Sequence, residues 1–223
     1  MNKPYRSLLI VACLVVAAIL IGPASTQSSA MEPTHDGHQA AMAMPSPDPH
    51  AAHKAAMNKP RYSVSIKNYE IPDLQLIDAS GSEIGLRSLL DSQRPVALNF
   101  IFTTCTTICP VMTATFAQMQ RHLGTSAEQL TLVSISVDPE YDRPDVLKAY
   151  AAQFHAGGNW TFLTGEGADI ERVQRDFDTY AGTKMNHQPV TFLRSAGDPS
   201  WIRIDGLASG ENLAQEVSSR LLN

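Results

Sequence analysis

The segment Pro95–Phe102 is apolar at every position except Asn99. Such a run predicts a strand that is covered on both faces, because a strand with one solvated face alternates apolar and polar residues. Apolar residues then recur at helical spacing from Pro110 to Leu123, which predicts a helix directly after this strand. A buried strand followed by a helix is the basic unit of an α/β domain.

The chain from Arg61 onward repeats this alternation of strand and helix. Strands are predicted at Val64–Ile66, Leu74–Ile77, Leu130–Val137, Trp160–Leu163, Val190–Arg194 and Trp201–Asp205, and helices at Pro144–Phe154, Asp169–Phe177 and Asn212–Leu222. The last two strands flank a Gly-Asp-Pro turn and are predicted to form a hairpin. The alternation predicts an α/β fold in which a central mixed, mostly parallel sheet is flanked by helices. We therefore expect residues 61–223 to form one domain.

The first thirty residues predict export from the cytoplasm. Lys3 and Arg6 precede an unbroken apolar run of 14 residues, Leu8–Ile21, and a small polar stretch follows. This order is typical of a secretory signal peptide. The alternative is an uncleaved anchor, although a spanning helix needs about 20 apolar residues. Residues 1–30 are therefore predicted to be a signal peptide or an N-terminal membrane anchor, and the protein to be periplasmic or otherwise extracytoplasmic, either soluble or attached to the inner membrane.

Residues 31–60 have the composition of a disordered tether. The segment contains no aromatic residue and no Val, Ile or Leu, so it cannot bury enough apolar surface to offset the entropy of ordering. It is rich in residues that ligate copper: His35, His38, His50, His53, Met31, Met42, Met44 and Met57. Imidazole and thioether groups on a flexible chain can surround a soft or borderline metal ion. Two interpretations stay open, a copper-collecting segment and a linker that happens to be rich in Ala, His and Met.

The charge balance argues against a nucleic-acid partner. The chain carries 22 acidic and 17 basic side chains, a net charge of -5. Binding to nucleic acid requires a basic face that neutralises phosphates and releases their counterions. We therefore expect no nucleic-acid binding.

The chemistry of this chain depends on Cys105 and Cys109. The third cysteine, Cys13, lies in the segment that directs export. The pair lies where a buried strand ends and a helix begins, and the helix dipole and free backbone N–H groups there favour a thiolate. Spacing alone leaves three interpretations open: a structural disulfide, a catalytic thiol–disulfide pair and a thiolate metal site.

Several motifs between Tyr69 and Leu222 match one known family. They are Ile71-Pro72-Asp73, Phe100–Cys105, Cys109-Pro110, Ser136–Pro139 with Asp142 and Pro144, Trp160–Gly165, and His187 six residues before Leu193. In these motifs the chain resembles the SCO/SenC family of copper-delivery proteins. The resemblance implies a thioredoxin-like fold and a copper ion bound by Cys105, Cys109 and His187. It also implies delivery of that copper to the CuA centre of cytochrome c oxidase, and a tether to the membrane.

The implied ligands are chemically suited to copper. Thiolates are soft and hold Cu(I), and an added imidazole lets the same site accept Cu(II). Met185 is expected either to add a weak thioether ligand or to pack against its neighbours. Asp138 is expected near the thiols or capping the turn that follows it. His122 and His155 are expected at the surface.

Two features depart from this pattern or favour another function. Asn186-His187-Gln188 stands where the family commonly has Asp-His-Ser, which removes a negative charge beside the histidine. Pro189–Phe192 resembles the strand entry of redox thioredoxins. We predict an exported copper chaperone that serves a cuproenzyme such as a cytochrome oxidase subunit, and whether it also has thiol–disulfide oxidoreductase activity stays open. The alternative is an exported thiol–disulfide reductase that uses Cys105 and Cys109 as a redox pair and draws on a periplasmic thiol reductant. A thiol peroxidase is a third candidate.

Overall fold

The structure is a computed structural model that describes residues 61–222. The strands in these residues are β1 (Tyr62–Asn68), β2 (Gln75–Asp78), β3 (Glu83–Gly85), β4 (Val96–Ile101), β5 (Thr131–Ser136), β6 (Trp160–Thr164), β7 (Val190–Arg194) and β8 (Ser200–Gly206). The α-helices are α1 (Leu86–Leu90), α2 (Ile108–Leu123), α3 (Pro144–Gln153), α4 (Gly167–Asp176) and α5 (Gly210–Arg220). Short 3₁₀ helices span Gly124–Gln129 and Lys184–Asn186. The predictions for residues 1–30 and 31–60 lie outside the described residues.

The strands form one eight-stranded sheet in the order β1-β8-β7-β4-β5-β6-β2-β3. The β4–β5 and β5–β6 pairs are parallel, whereas the other five pairings are antiparallel. The mixed sheet flanked by helices is confirmed, but the expectation that it is mostly parallel is wrong. Parallel neighbours need a long crossover, and only β4 to β5 and β5 to β6 are neighbours joined in this way, through α2 and α3. Short turns join β2 to β3 and β7 to β8, so these pairs are antiparallel.

The central strand β4 is buried at all of its positions. Ala97 and Ile101 belong to a core formed with α2, α3 and α5, while Leu98 and Phe100 belong to a second core formed with α1 and α4. Successive side chains of a strand point to opposite faces, so both faces of β4 require apolar residues. Asn99 is also buried and accepts a hydrogen bond from the Ser134 hydroxyl at 2.7 Å.

Most of the predicted elements are confirmed with small shifts at their ends, including the β7–β8 hairpin and β1 at a sheet edge. The sequence pattern missed β3 and α1, which have three and five residues and are too short to show periodicity. Within residues 61–222, no helix is long and apolar enough to cross a membrane.

The topology brings the segments that follow β4 and β5 and the segment that precedes β7 to one edge of the sheet. This edge is formed by the ends of the strands and not by an outer strand. The carboxyl ends of β4 and β5 meet there because these neighbours are parallel. β7 runs antiparallel to β4 and therefore begins at the same edge. The segment after Ile101 holds Cys105, and the segment before Val190 holds His187, so the fold brings both toward the same edge.

Candidate metal centre

Cys105 and Cys109 lie in the connection between β4 and α2. The Cys105 N–H donates to the Phe102 carbonyl at 3.2 Å, which turns the chain after the strand. α2 begins at Ile108, and the Cys109 N–H in its first turn donates to Cys105 Sγ at 3.5 Å. Both thiols are free and buried, and Cys109 is fully enclosed. The start of the helix thus holds the Cys105 sulfur against the backbone of Cys109.

The two thiols differ strongly in acidity. Burial opposes ionisation of Cys105, yet hydrogen bonds from the backbone N–H groups of Cys109 and Thr107 outweigh burial and lower its pKa to about 7. The Thr107 hydroxyl, 3.6 Å from Cys105 Sγ, adds to this effect. Burial, with a smaller contribution from the neighbouring Cys105 sulfur, raises the pKa of Cys109 to about 12. Near neutral pH, about half of Cys105 is therefore thiolate, whereas Cys109 keeps its proton.

His187 is buried, and one of its ring nitrogens is held by the backbone of β4. Its Nε2 lies 2.9 Å from the carbonyl oxygen of Phe100. Because a carbonyl can only accept a hydrogen bond, Nε2 carries the proton and Nδ1 has the free lone pair. Burial lowers the pKa of His187, although the hydrogen bond to Phe100 opposes this shift. The imidazole is therefore neutral near pH 7, which is the form that binds metals.

Cys105 and His187 line a common cavity of about 180 Å³. The remaining lining residues are Phe102, Thr104, Thr106, Thr107, Ile108, Lys184 and Met185. Cys109 is not among them and lies deeper. Within residues 61–222, no group of three or more His, Cys, Asp and Glu side chains is assembled closely enough to hold a metal ion. The structure therefore brings Cys105 next to Cys109, and Cys105 and His187 to one cavity, without a preassembled three-ligand set.

A buried carboxylate, that of Asp142, holds the loop before the cysteines. It accepts hydrogen bonds from the Thr103 N–H at 3.0 Å, from the Thr103 hydroxyl, and from the Ser136 hydroxyl at 2.6 Å. Asp142 has no exposed surface. The sequence shows this residue only as part of a motif, because its contact with Thr103 spans 39 residues and leaves no local signal.

The Asp138 carboxylate forms an ion pair with a lysine that lines the cavity. Its Oδ2 lies 2.5 Å from Lys184 Nζ, and Lys184 lines the cavity with Cys105. The turn after Asp138 is closed by its backbone carbonyl, which accepts from the N–H groups of Tyr141 and Asp142. The Asp138 side chain is therefore engaged in the ion pair and not in capping.

Other residues around the site also have defined places. His122 and His155 are exposed, as expected. Met185 is 76% exposed, so packing does not account for it. The Asn186 amide, which stands where the family commonly has Asp, donates to the Ala181 carbonyl at 3.3 Å and ties the His187 loop to itself.

Comparison with solved structures confirms the thioredoxin-like fold of the Sco proteins. The structure of Bradyrhizobium japonicum ScoI with copper bound has a TM-score of 0.57 and 26% identity, and the match covers 68% of this chain and 99% of that chain. BsSco is described as a member of the Sco family of cytochrome c oxidase assembly proteins in which a disulfide switch was identified. It has a TM-score of 0.58 and 30% identity, and the match covers 70% of this chain and 95% of BsSco.

The family model described as SCO1/SenC matches residues 65–221. Because this match covers more than half of the sequence, the chain belongs to the SCO1/SenC family. One relative, a SCO1 protein homolog of Bacillus subtilis (strain 168), is 39% identical over 99 residues, which are 44% of this chain and 50% of the relative. The chain spans about half the length of the curated relatives it matches.

Proposed function

We propose that this protein is an exported copper chaperone that binds copper through Cys105, Cys109 and His187 and delivers it to a cuproenzyme, with a cytochrome c oxidase subunit as the acceptor. The observation that carries the proposal is the cavity that thiolate-forming Cys105 shares with neutral His187. Two similar proteins support the proposal. ScoI was solved with copper bound, and BsSco is a member of the Sco family of cytochrome c oxidase assembly proteins.

The donor groups fit copper as a cargo that is taken up and released. Two sulfurs suit Cu(I), and Nδ1 of His187 adds a donor that Cu(II) accepts well. Cys109 must lose its proton when copper binds, so binding couples to pH. Because the three groups are not preassembled, we infer that His187 approaches the sulfurs by an adjustment of residues 183–188. A site completed by such an adjustment also opens readily for transfer.

The part of the proposal that concerns residues 1–60 rests on the amino-acid sequence. Residues 1–30 direct export, as a cleaved signal peptide or as a membrane anchor, and keep the chaperone on the extracytoplasmic side. Residues 31–60 collect copper through their histidines and methionines and supply it to the thiol site. A tether of this kind binds copper weakly because it pays the entropy of ordering on binding.

Titration of the reduced full-length chain with Cu(I) tests the site. The titration is anaerobic and contains a competing chelator that masks weak sites in the tether. We expect a single tight site that Cys105→Ser and Cys109→Ser each abolish, because one thiolate alone cannot compete with the chelator. Cys13→Ser is the matched control and should keep the tight site. Unchanged stoichiometry and affinity in either site variant would contradict the assignment.

A second candidate, an exported thiol–disulfide reductase, is favoured by the unequal acidity of the thiols. A thiolate next to a buried thiol is an arrangement suited to attack on a disulfide followed by release through the second sulfur. The disulfide switch identified in BsSco supports this candidate. Rapid turnover in a disulfide-reduction assay with a thiol reductant, and no protection of the cysteines from alkylation by copper, would favour the reductase. Slow exchange and full protection by copper would favour the chaperone.

A further inference from the structure

Met185 is a large apolar side chain in an unusual position. It is 76% exposed, whereas the other two methionines of the described residues, Met112 and Met119, are 4% and 0% exposed. Burial of apolar surface stabilises methionines in the core, and an exposed methionine gains little of this stabilisation. The contribution of Met185 to stability is therefore small, and its position calls for another explanation.

The backbone holds Met185 at the cavity of the thiol site. Met185 lies in the 3₁₀ helix Lys184–Asn186, and its N–H donates to the Thr183 hydroxyl at 3.4 Å. The His187 N–H donates to the Lys184 carbonyl at 3.2 Å, so the histidine follows the same turn. Met185 lines the cavity together with Cys105 and His187. Its exposure indicates that Met185 lies where this cavity meets solvent.

Few of the other side chains that line this cavity can bind copper. The Lys184 ammonium has no lone pair and is held by Asp138 at 2.5 Å. Threonine hydroxyls are hard, neutral oxygen donors that Cu(I) does not favour. The soft or borderline donors among the lining residues are Cys105, His187 and Met185. Two of these belong to the proposed copper site, and the thioether has no role in it.

We propose that Met185 is an exchange ligand for Cu(I) at the mouth of this cavity, an inference that rests on the proposed copper-chaperone function. A thioether is soft, uncharged and binds Cu(I) more weakly than a thiolate does. It can therefore take one coordination position while a bond to Cys105 or to a partner's ligand forms or breaks. One Cu–S bond forms as another copper–ligand bond breaks, copper stays Cu(I), and no electron is transferred.

The rate of copper exchange tests this role. Full-length protein loaded with Cu(I) is mixed with an excess of a coloured Cu(I) chelator, and release is followed by stopped flow. We expect Met185→Leu to slow release about tenfold, which corresponds to ~1.4 kcal/mol in the barrier. The equilibrium affinity should change by less than about twofold, because a transient ligand contributes little to the resting complex. The double variant Met185→Leu/Ile66→Met restores an exposed thioether on β1, away from the site, and should remain slow.

A spectroscopic readout detects the thioether directly. In protein labelled with carbon-13 at the methionine methyl groups, the resonance that Met185→Leu removes should broaden while Cu(I) exchanges between the protein and the chelator, because the thioether binds the ion transiently, and the resonance of buried Met119 should not broaden. Either an unbroadened resonance or a wild-type release rate in Met185→Leu would overturn the inference while Cys-dependent copper binding persists. Loss of tight Cu(I) binding in the wild-type chain would instead refute the copper-chaperone function itself.

Discussion

The unequal acidity of the two thiols predicts which of them reacts. Cys105 has a pKa of about 7 because backbone N–H groups and the Thr107 hydroxyl stabilise its thiolate despite burial. Cys109 has a pKa of about 12 because it is enclosed. In the reduced, copper-free protein, iodoacetamide should therefore modify Cys105 first. The rate should rise with pH through a midpoint near 7 and level off above it.

The size of the preference follows from the two pKa values. At pH 7 about half of Cys105 is thiolate, compared with ~3% of an ordinary thiol whose pKa is ~8.5. A less basic thiolate is also a weaker nucleophile, which reduces this roughly 15-fold gain to about threefold. Cys109 holds on the order of one thiolate in 10⁵. Even allowing for its greater nucleophilicity, Cys105 should react at least about a hundredfold faster than Cys109.

The assay is timed alkylation of the full-length chain, quenched and mapped by mass spectrometry across pH 5 to 10. Thr107→Val removes the hydroxyl near Cys105 Sγ, so the Cys105 midpoint should move to higher pH. Thr106→Val is the matched control, because Thr106 lines the same cavity but is not among the groups that lower the Cys105 pKa. Equal reaction rates of the two cysteines, or a Cys105 midpoint near that of an ordinary thiol, would refute the reasoning.

Two further predictions concern the groups around the thiols. Asp142→Asn should destabilise the protein by ~1–3 kcal/mol in urea unfolding, because an amide leaves at least one buried donor unpaired. Exposed Asp145→Asn loses a surface ion pair with Arg143 and a charge in the first turn of α3, and should cost at most about 1 kcal/mol. Equal stability of both variants would contradict the role of Asp142. His187→Ala should weaken Cu(II) binding more than Cu(I) binding, because two thiolates still hold the softer ion. The control His155→Ala, at an exposed position, should change the binding of neither ion. Equal retention of both ions in His187→Ala would show that His187 is not a copper ligand.

The sequence predicted those parts of the fold that depend on local periodicity. β4 was recognisable because both of its faces are buried, and α2 because its apolar residues recur at helical spacing. The direction of β7 relative to β4 was not recognisable, because an apolar strand has the same pattern in parallel and antiparallel pairs. The sheet was therefore predicted to be more parallel than it is.

The site was predictable as a set of residues but not as a geometry. Cys105 and Cys109 are close in sequence, so their proximity at the start of a helix could be foreseen. The bond between His187 and the Phe100 carbonyl spans 87 residues, and the bond between Lys184 and Asp138 spans 46. Such contacts are set by how the strands order in the sheet, and no spacing in the sequence encodes them. Whether His187 joins the two sulfurs on one ion stays a prediction.

The proposed copper site and the alternative thiol–disulfide exchange function compete for the Cys105 sulfur. In both proposals the first bond forms at the Cys105 thiolate, since Cys109 is protonated and enclosed. Copper must then displace the Cys109 proton, and a disulfide must form through the same second sulfur. Each event consumes both thiols and so excludes the other. Raising the pH favours deprotonation of Cys109 and therefore copper capture, while oxidation removes both ligands at once. Under the proposed function, the state of this pair therefore determines whether the protein can carry copper.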